Sequence, residues 1–320
     1  MALPRLACVA VSLFPLAARL RSEPELAREA VVIVEGNGSA ARVLAASRLA
    51  RRAGVRPGLT LPQARALIPK LVARPRDAEC ERAAQEALLE IAERFSPRIE
   101  DAGEGVAYLD VDGIDRRFRP AGRGPRGAAA PPAGATTPAT PPTPTTPATP
   151  ASPAETSLAC ALAGAAEAAG LPARVGIASS KLAARIAATL AESPAIVTAG
   201  EEAVFLAPLP LARLLPTPET LGSGAPGAAT IPSTRTTGGT PAHPGAAGII
   251  DIVATLARWG IKTIGDFARL PVARVTSRLG SSGRELHATA RGIDPRPLMP
   301  SPPPPAFHEG MDLEWPLVAL

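Results

Sequence analysis

The stretch Glu100–Gly113, EDAGEGVAYLDVDG, decides how the rest of the chain is read. Its second half, Val106–Val111, is rich in β-forming residues but alternates apolar and polar positions poorly, which predicts a buried strand. Phe95-Ser96-Pro97-Arg98-Ile99 leads into it and Gly113 ends it. Asp101, Glu104, Asp110 and Asp112 place carboxylates nearby.

Ala107–Val111, AYLDV, resembles the tail of the palm-strand motif of Y-family (translesion, DinB/UmuC-type) DNA polymerases, where the run is Ser-Ile-Asp-Glu-Ala-Phe/Tyr-Leu-Asp. Laid on that run, the metal-binding Asp of the family falls on Gly105 and the following catalytic Glu on Val106. Phosphoryl transfer in such enzymes uses two divalent metals held by carboxylates. Glycine and valine supply no side-chain oxygen. Asp110 matches a family position that is structural, and Glu104, adjacent to Gly105, points to the opposite face of a regular strand. Only a β-bulge would re-aim it.

Working outward, Leu6–Leu16, LACVAVSLFPL, has the look of a signal-peptide core with Arg5 as its basic flank. Pro15 interrupts it, no small-residue cleavage site follows, and Arg19 and Arg21 come at once, so a buried first strand over Val9–Leu13 is expected. The resemblance sets its first metal-binding Asp on Ala10 and its second on Ser12, with Phe14 at or beside the sugar-discriminating aromatic. No Asp or Glu precedes Glu23.

Ala30–Glu35 reads as a second strand. Arg42–Gly58, RVLAASRLARRAGVRPG, resembles the family's fingers segment; helical spacing of Leu44, Ser47/Arg48 and Arg51 sets the two arginines on one face. Arg51 matches the triphosphate-binding Arg and Arg48 stands where the family has Tyr. A solvated basic face is the alternative. Thr60–Leu71 is an amphipathic helix with an N-cap-like Thr, and Asp77–Phe95 has the 3.6-residue period of a core-facing helix.

Arg119–Pro153 and Thr217–Gly248 are Ala/Gly/Pro/Thr tracts without the large apolar residues a core needs; they are expected to be disordered or polyproline-like insertions, dispensable for folding. Between them, Thr156–Gly170 is an alanine-rich helix. Leu171–Ala188, LPARVGIASSKLAARIAA, reads as strand, turn and helix and resembles a second family block, in which Lys181 matches a triphosphate-contacting Lys and Ser180 replaces Asn. Contact with DNA backbone needs the same donors. Ala203–Leu215 resembles the passage from palm to thumb. In Ile249–Pro271, Gly260 ends one helix and Thr263 caps the next, as in a helix–hairpin–helix; Gly260, Lys262 and Thr263 are its candidate DNA-binding residues, an ordinary αα-hairpin being the alternative. Gly280–Pro297 completes the thumb pattern. Phe307–Leu320 begins a further region, too short for a little-finger domain, so the chain is expected to be a fragment or truncated product.

Composition sets outer bounds. The 320 residues include 38 Pro and 28 Gly with 3% aromatics, and the formal charge is +5. Only Lys70, Lys181 and Lys262 are lysines, so the basic charge is arginine, from a GC-rich coding bias or a nucleic-acid surface; charge alone does not separate the two. Cys8, Cys80 and Cys160 have no metal-ligand spacing and suggest a reducing compartment; with His243, His287 and His308 they form no zinc pattern. No apolar run is long enough to span a membrane.

The reading is an α+β fold: Y-family polymerase-like palm and fingers with a helix–hairpin–helix thumb, the little finger largely missing. The expected domains are palm (first strand) 1–22, fingers 23–77, palm 78–205 with the 119–153 insertion, thumb 206–298 with the 217–248 insertion, and linker plus little-finger start 299–320. Carboxylate loss at Ala10, Gly105 and Val106 looks like the catalytically inactive ImuB-type branch, which implies no metal, no cofactor and a hub role in induced mutagenesis. The partners so implied are damaged or primed DNA, the sliding clamp, an error-prone replicative-type polymerase subunit and a RecA-like accessory protein, in the cytoplasm. An active translesion polymerase using displaced acids such as Glu104 and Asp112 with Mg2+ is the alternative.

Overall fold

The computed structural model describes residues 4–113, 152–190, 194–215, 244–294 and 296–300, with side chains at 244–248 left aside. Most of both low-complexity tracts and the expected little-finger start lie outside the described residues.

Two sheets organise the first half of the chain. The larger contains β1 (Leu6–Val11), β5 (Ile99–Gly103), β6 (Val106–Asp110), β7 (Ala173–Ala178) and β8 (Ala195–Ile196), in the order β5-β6-β1-β7-β8. All neighbours are antiparallel except β7 and β8. The smaller sheet has β3 (Arg42–Ala46), β2 (Val31–Glu35) and β4 (Val72–Pro75), in the order β3-β2-β4.

The central strand β1 explains the weak alternation of its neighbour β6. One face, with Ala7, Val9, Ala107, Leu109, Val175 and Ile177, is packed by α1 (Phe14–Ser22), α4 (Ala78–Glu93) and α5 (Pro153–Ala168). The other face carries Cys8, Val106 and Tyr108 under α6 (Lys181–Ala188). Strands covered on both sides lose the polar alternation of a half-exposed strand. The amphipathic run over Asp77–Phe95 forms α4, which Asp77 caps by accepting from the amides of Glu79 and Cys80.

The first strand starts three residues and ends two residues earlier than expected, at Leu6 and Val11, and Leu13 adopts a left-handed conformation (φ 54°) that starts α1. The strand lies at the centre of the sheet, between β6 and β7. The helical spacing read across Leu44 and Arg48 is corrected more sharply. Leu44 lies in β3, and only Arg48–Arg52 (α2) is helical, capped by the Ser47 hydroxyl. α3 (Leu61–Leu67) follows, with Thr60 and Gln63 making a reciprocal capping box.

The second half is helical: α7 (Glu202–Leu206), α8 (Pro244–Arg258), α9 (Ile264–Ala268) and α10 (Val272–Ala290), the last broken at Gly280. α8 begins inside the second low-complexity tract. Leu206, Leu256, Ile264 and Phe267 form its core, and Ile186 of α6 joins it, linking this unit to the sheet.

Gly176 of β7 faces α6 so closely that a Cβ there would run into the backbone oxygen of Ala184 and the backbone nitrogen of Ala188. Main-chain atoms of a packed helix cannot step aside as a side chain does. Gly176→Ala should therefore lower stability by about 3 kcal/mol, the upper end for overpacking, read as a reduced midpoint in urea unfolding.

Candidate functional site

The residues aligned with the polymerase carboxylates converge where β1 ends and β6 begins. Ala10 and Val106 are direct partners in the β1–β6 register, so their side chains share one face. Val106 is buried and belongs to the apolar cluster of Cys8, Tyr108 and Ala184. Gly105 ends the β5–β6 turn at φ 79°, following Glu104 at φ 48°. Its carbonyl accepts from the Val11 amide at 2.8 Å. A Cβ at 105 would stand 2.5 Å from Cδ2 of the buried Phe14 ring.

A buried glutamine holds this turn. Gln85 of α4 accepts from the Gly105 amide at 2.7 Å and donates to Asp101 at 2.6 Å and to the Val106 carbonyl at 3.2 Å. The sequence marked α4 as core-facing and missed this role; a polar residue on its buried stripe was the available signal.

The neighbouring acids are engaged elsewhere. Asp101 accepts from Gln85 and from the Gly103 amide. Glu104 faces Arg76 at 3.5 Å. Asp110 pairs with Arg98 at 2.8 Å, and Asp112 accepts from the Arg5 amide at 2.8 Å. Among the described residues, no group of three His, Cys, Asp or Glu side chains is arranged to hold a metal. The donors at Ala10, Gly105 and Val106 are methyl groups and backbone, whereas Mg2+ requires oxygen ligands in near-octahedral array. The two-metal chemistry implied by the fold does not fit these residues. Burial pushes the Cys8 thiol up to about 12 and raises the Tyr108 phenol as well, so neither is a ready nucleophile or base on this face.

The basic residues divide into two kinds. Arg48 and Arg51 are exposed on α2. Lys181 is not: it is buried, with its ammonium 2.6 and 2.8 Å from the two oxygens of Glu100 and 2.7 Å from the Pro297 carbonyl. The match to a triphosphate-contacting Lys thus lands on an ion-paired side chain.

The hairpin forms as its spacing predicts. Gly260 (φ 80°) closes α8, and Thr263 caps α9 by accepting from the Asp266 amide at 3.1 Å. Yet the amides of Ile264 and Gly265 donate to the carbonyls of Leu209 and Ala207. The anion-facing amides expected at this helix start are therefore engaged inside the protein. What the hairpin presents outward is the exposed Lys262 and Trp259, with the Arg278 guanidinium 5.5 Å over the indole. Neither Trp259 nor Arg278 was singled out by sequence, since their pairing depends on how α10 folds back on α8.

The described residues thus form a five-stranded sheet with helices on both faces, an apolar β1–β6 junction and a hairpin-bearing helical unit. The chain belongs to the impB/mucB/samB family, whose model matches residues 9–189, more than half its length. This places it in the Y-family polymerase superfamily. Similar proteins include the DNA polymerase IV of Desulfatibacillum aliphaticivorans, 28% identical over 283 residues covering 88% of this chain and 55% of that protein. The DNA polymerase IV of Dehalococcoides mccartyi (strain CBDB1) is 29% identical over 281 residues, covering 87% and 56%. The chain spans about half the length of these relatives. Among solved structures, DinB from Sulfolobus solfataricus superposes with a TM-score of 0.56 at 17% identity, covering 92% of this chain and 69% of that one, a likeness of fold.

Proposed function

We propose that this chain is a polymerase-fold protein that grips DNA and partner proteins without transferring nucleotides, on the pattern of the ImuB-type branch. The observation that carries the reading is the junction itself: Ala10 opposes Val106, and Gly105 is backed by the Phe14 ring. In this reading the palm (1–22 and 78–205), fingers (23–77) and thumb (206–298) are a scaffold, with 299–320 leading toward a little finger. The protein works in the cytoplasm in translesion synthesis and induced mutagenesis. Its partners are damaged or primed DNA, the sliding clamp, an error-prone replicative-type polymerase subunit and a RecA-like accessory protein, as the resemblance implies. It needs no metal or other cofactor. Among the described residues, no helix is long and apolar enough to cross a membrane.

A second reading is favoured by the names of its relatives. The two relatives above are named DNA polymerase IV, and an active error-prone enzyme would recruit Glu104 or Asp112 around Mg2+. The engagement of both acids, on Arg76 and on the Arg5 amide, weighs against it.

DNA binding tests the grip. Contacts from Arg48, Arg51 and Lys262 to phosphate are sequence-independent and release counterions. Replacing all three with alanine should weaken binding similarly for unrelated duplexes and reduce the slope of log K against log salt by about 2.7, from roughly 0.9 per phosphate contact. Fluorescence anisotropy over a salt series reads both quantities. An unchanged slope would remove these residues from the interface, and no binding by the native chain at low salt would leave it acting through proteins alone.

A further inference from the structure

Residues paired across a sheet share a face, which lays out two neighbouring rows on the side bearing Ala10 and Val106. One row runs Glu100, Tyr108, Cys8, Gly176; the next, one pleat along, contains Val106, Ala10 and Arg174. Helix α6 covers the Gly176 end of the first row, and Lys181 in its first turn reaches back along that row. Its ammonium stands 5.7 Å from the Tyr108 ring centre and bonds both oxygens of Glu100.

The chain after the thumb closes over this pair. The Pro297 carbonyl accepts from Lys181 at 2.7 Å, and the Met299 amide donates to Glu100 at 2.6 Å. Between them Leu298 packs on the cluster of Cys8, Val106 and Tyr108. The residues flanking Leu298 thus offer a carbonyl to the cation and an amide to the anion. The side chains of Lys181 and Glu100 keep only 8% and 18% of their exposure. An ammonium has three donors, and these three acceptors use all of them. Arg296 stiffens the approach through a two-point pair with Asp294 at 2.8 and 2.7 Å.

We propose that residues 296–299 form a strap latched across the palm face by Lys181 and Glu100, and that Lys181 holds this strap in place of a nucleotide phosphate. The apolar junction and the strap then belong together. A face that kept its carboxylates would be a charged, hydrated surface; with Val106 in place it is a seat for Leu298. While the strap is seated, a polyphosphate finds no available cation at Lys181, and the chain leaves the palm toward residue 300 at a fixed point.

The inference does not rest on the DNA-binding or hub role, and its test contains neither DNA nor metal. Leu298 and Met299 lie between prolines, so their amides give an isolated hydrogen-exchange signal in the full chain. The Met299 amide should be protected in the native protein, and Lys181→Met should accelerate its exchange about tenfold or more, the scale of a charge-assisted hydrogen bond. Inorganic tripolyphosphate in EDTA, followed by calorimetry, is the second probe. The native chain should not bind it below millimolar concentration. Glu100→Gln, which keeps the shape but frees the ammonium, should bind at least about tenfold more tightly, and adding Lys181→Met should abolish the gain. Should Lys181→Met fail to fold, Glu100→Gln alone decides. Unprotected Met299 in the native chain, no gain with Glu100→Gln, or native binding that depends on Lys181 would each overturn the proposal.

Discussion

Replacing Arg5 by methionine is expected to lower the free energy of unfolding by about 3–5 kcal/mol, the range for stranding one partner of a buried ion pair. Arg5 immediately precedes β1, and its guanidinium bonds Glu155 of α5 at 2.7 and 3.1 Å, the Ser179 hydroxyl at 3.1 Å and the Val197 carbonyl at 2.9 Å. Its side chain is 14% exposed and that of Glu155 11%, so solvent does little to screen the pair. Glu202 of α7 is a further neighbour at 3.9 Å. One guanidinium therefore ties the start of the central strand to the helix that follows the first low-complexity tract. Methionine keeps much of the packed stem but leaves Glu155 buried without its cation. Adding Glu155→Met should recover much of the loss, since apolar replacement of both partners is tolerated far better than removal of one. Guanidinium chloride unfolding of the single and double variants measures this; additive losses would show that the pair is not coupled.

The second large effect concerns a restored carboxylate. Gly105→Asp should fold poorly, losing about 3 kcal/mol or more, because two independent penalties coincide. A left-handed conformation at φ 79° costs a non-glycine residue roughly 1 kcal/mol or more. The new Cβ must also displace the Phe14 ring from 2.5 Å, an overpacking cost of roughly 1–3 kcal/mol. Trimming the ring should relieve the second penalty only. In a cycle with Phe14→Ala, the coupling between the two positions should be about 1 kcal/mol or more, although Phe14→Ala is itself destabilising. Independent effects would show that the ring does not guard this position. The clash argues that the missing carboxylate is built into the packing of α1 and is not a single reversible substitution.

Much of this was legible in the chain itself. The β-rich run over Val106–Val111 announces the strand β6, and the apolar run after Arg5 announces β1; both are local properties that survive folding. The Gly260–Thr263 punctuation likewise places the hairpin, because helix ends are set by nearby residues. The strand at Arg42–Ala46 was not legible. Its alanines and arginine carry helical propensity, and pairing with Val31–Glu35 overrides it. Least legible was the fate of Lys181. Its motif names a phosphate ligand, but its partner Glu100 is 81 positions away and the strap 116, distances at which sequence spacing says nothing. The same holds for Gln85, whose work on Gly105 is visible only once α4 lies against the turn.

Single-nucleotide incorporation on a primed template is the most direct measurement of the central claim, that this palm does not transfer nucleotides. It should be run with the native chain in Mg2+ and in Mn2+. Extension at the level of a protein-free control, from a protein that retards the same primed duplex at low salt, is the expected result. Template-directed extension above that level, lost on Glu104→Gln or Asp112→Asn, would contradict it and make the chain an active polymerase with displaced carboxylates.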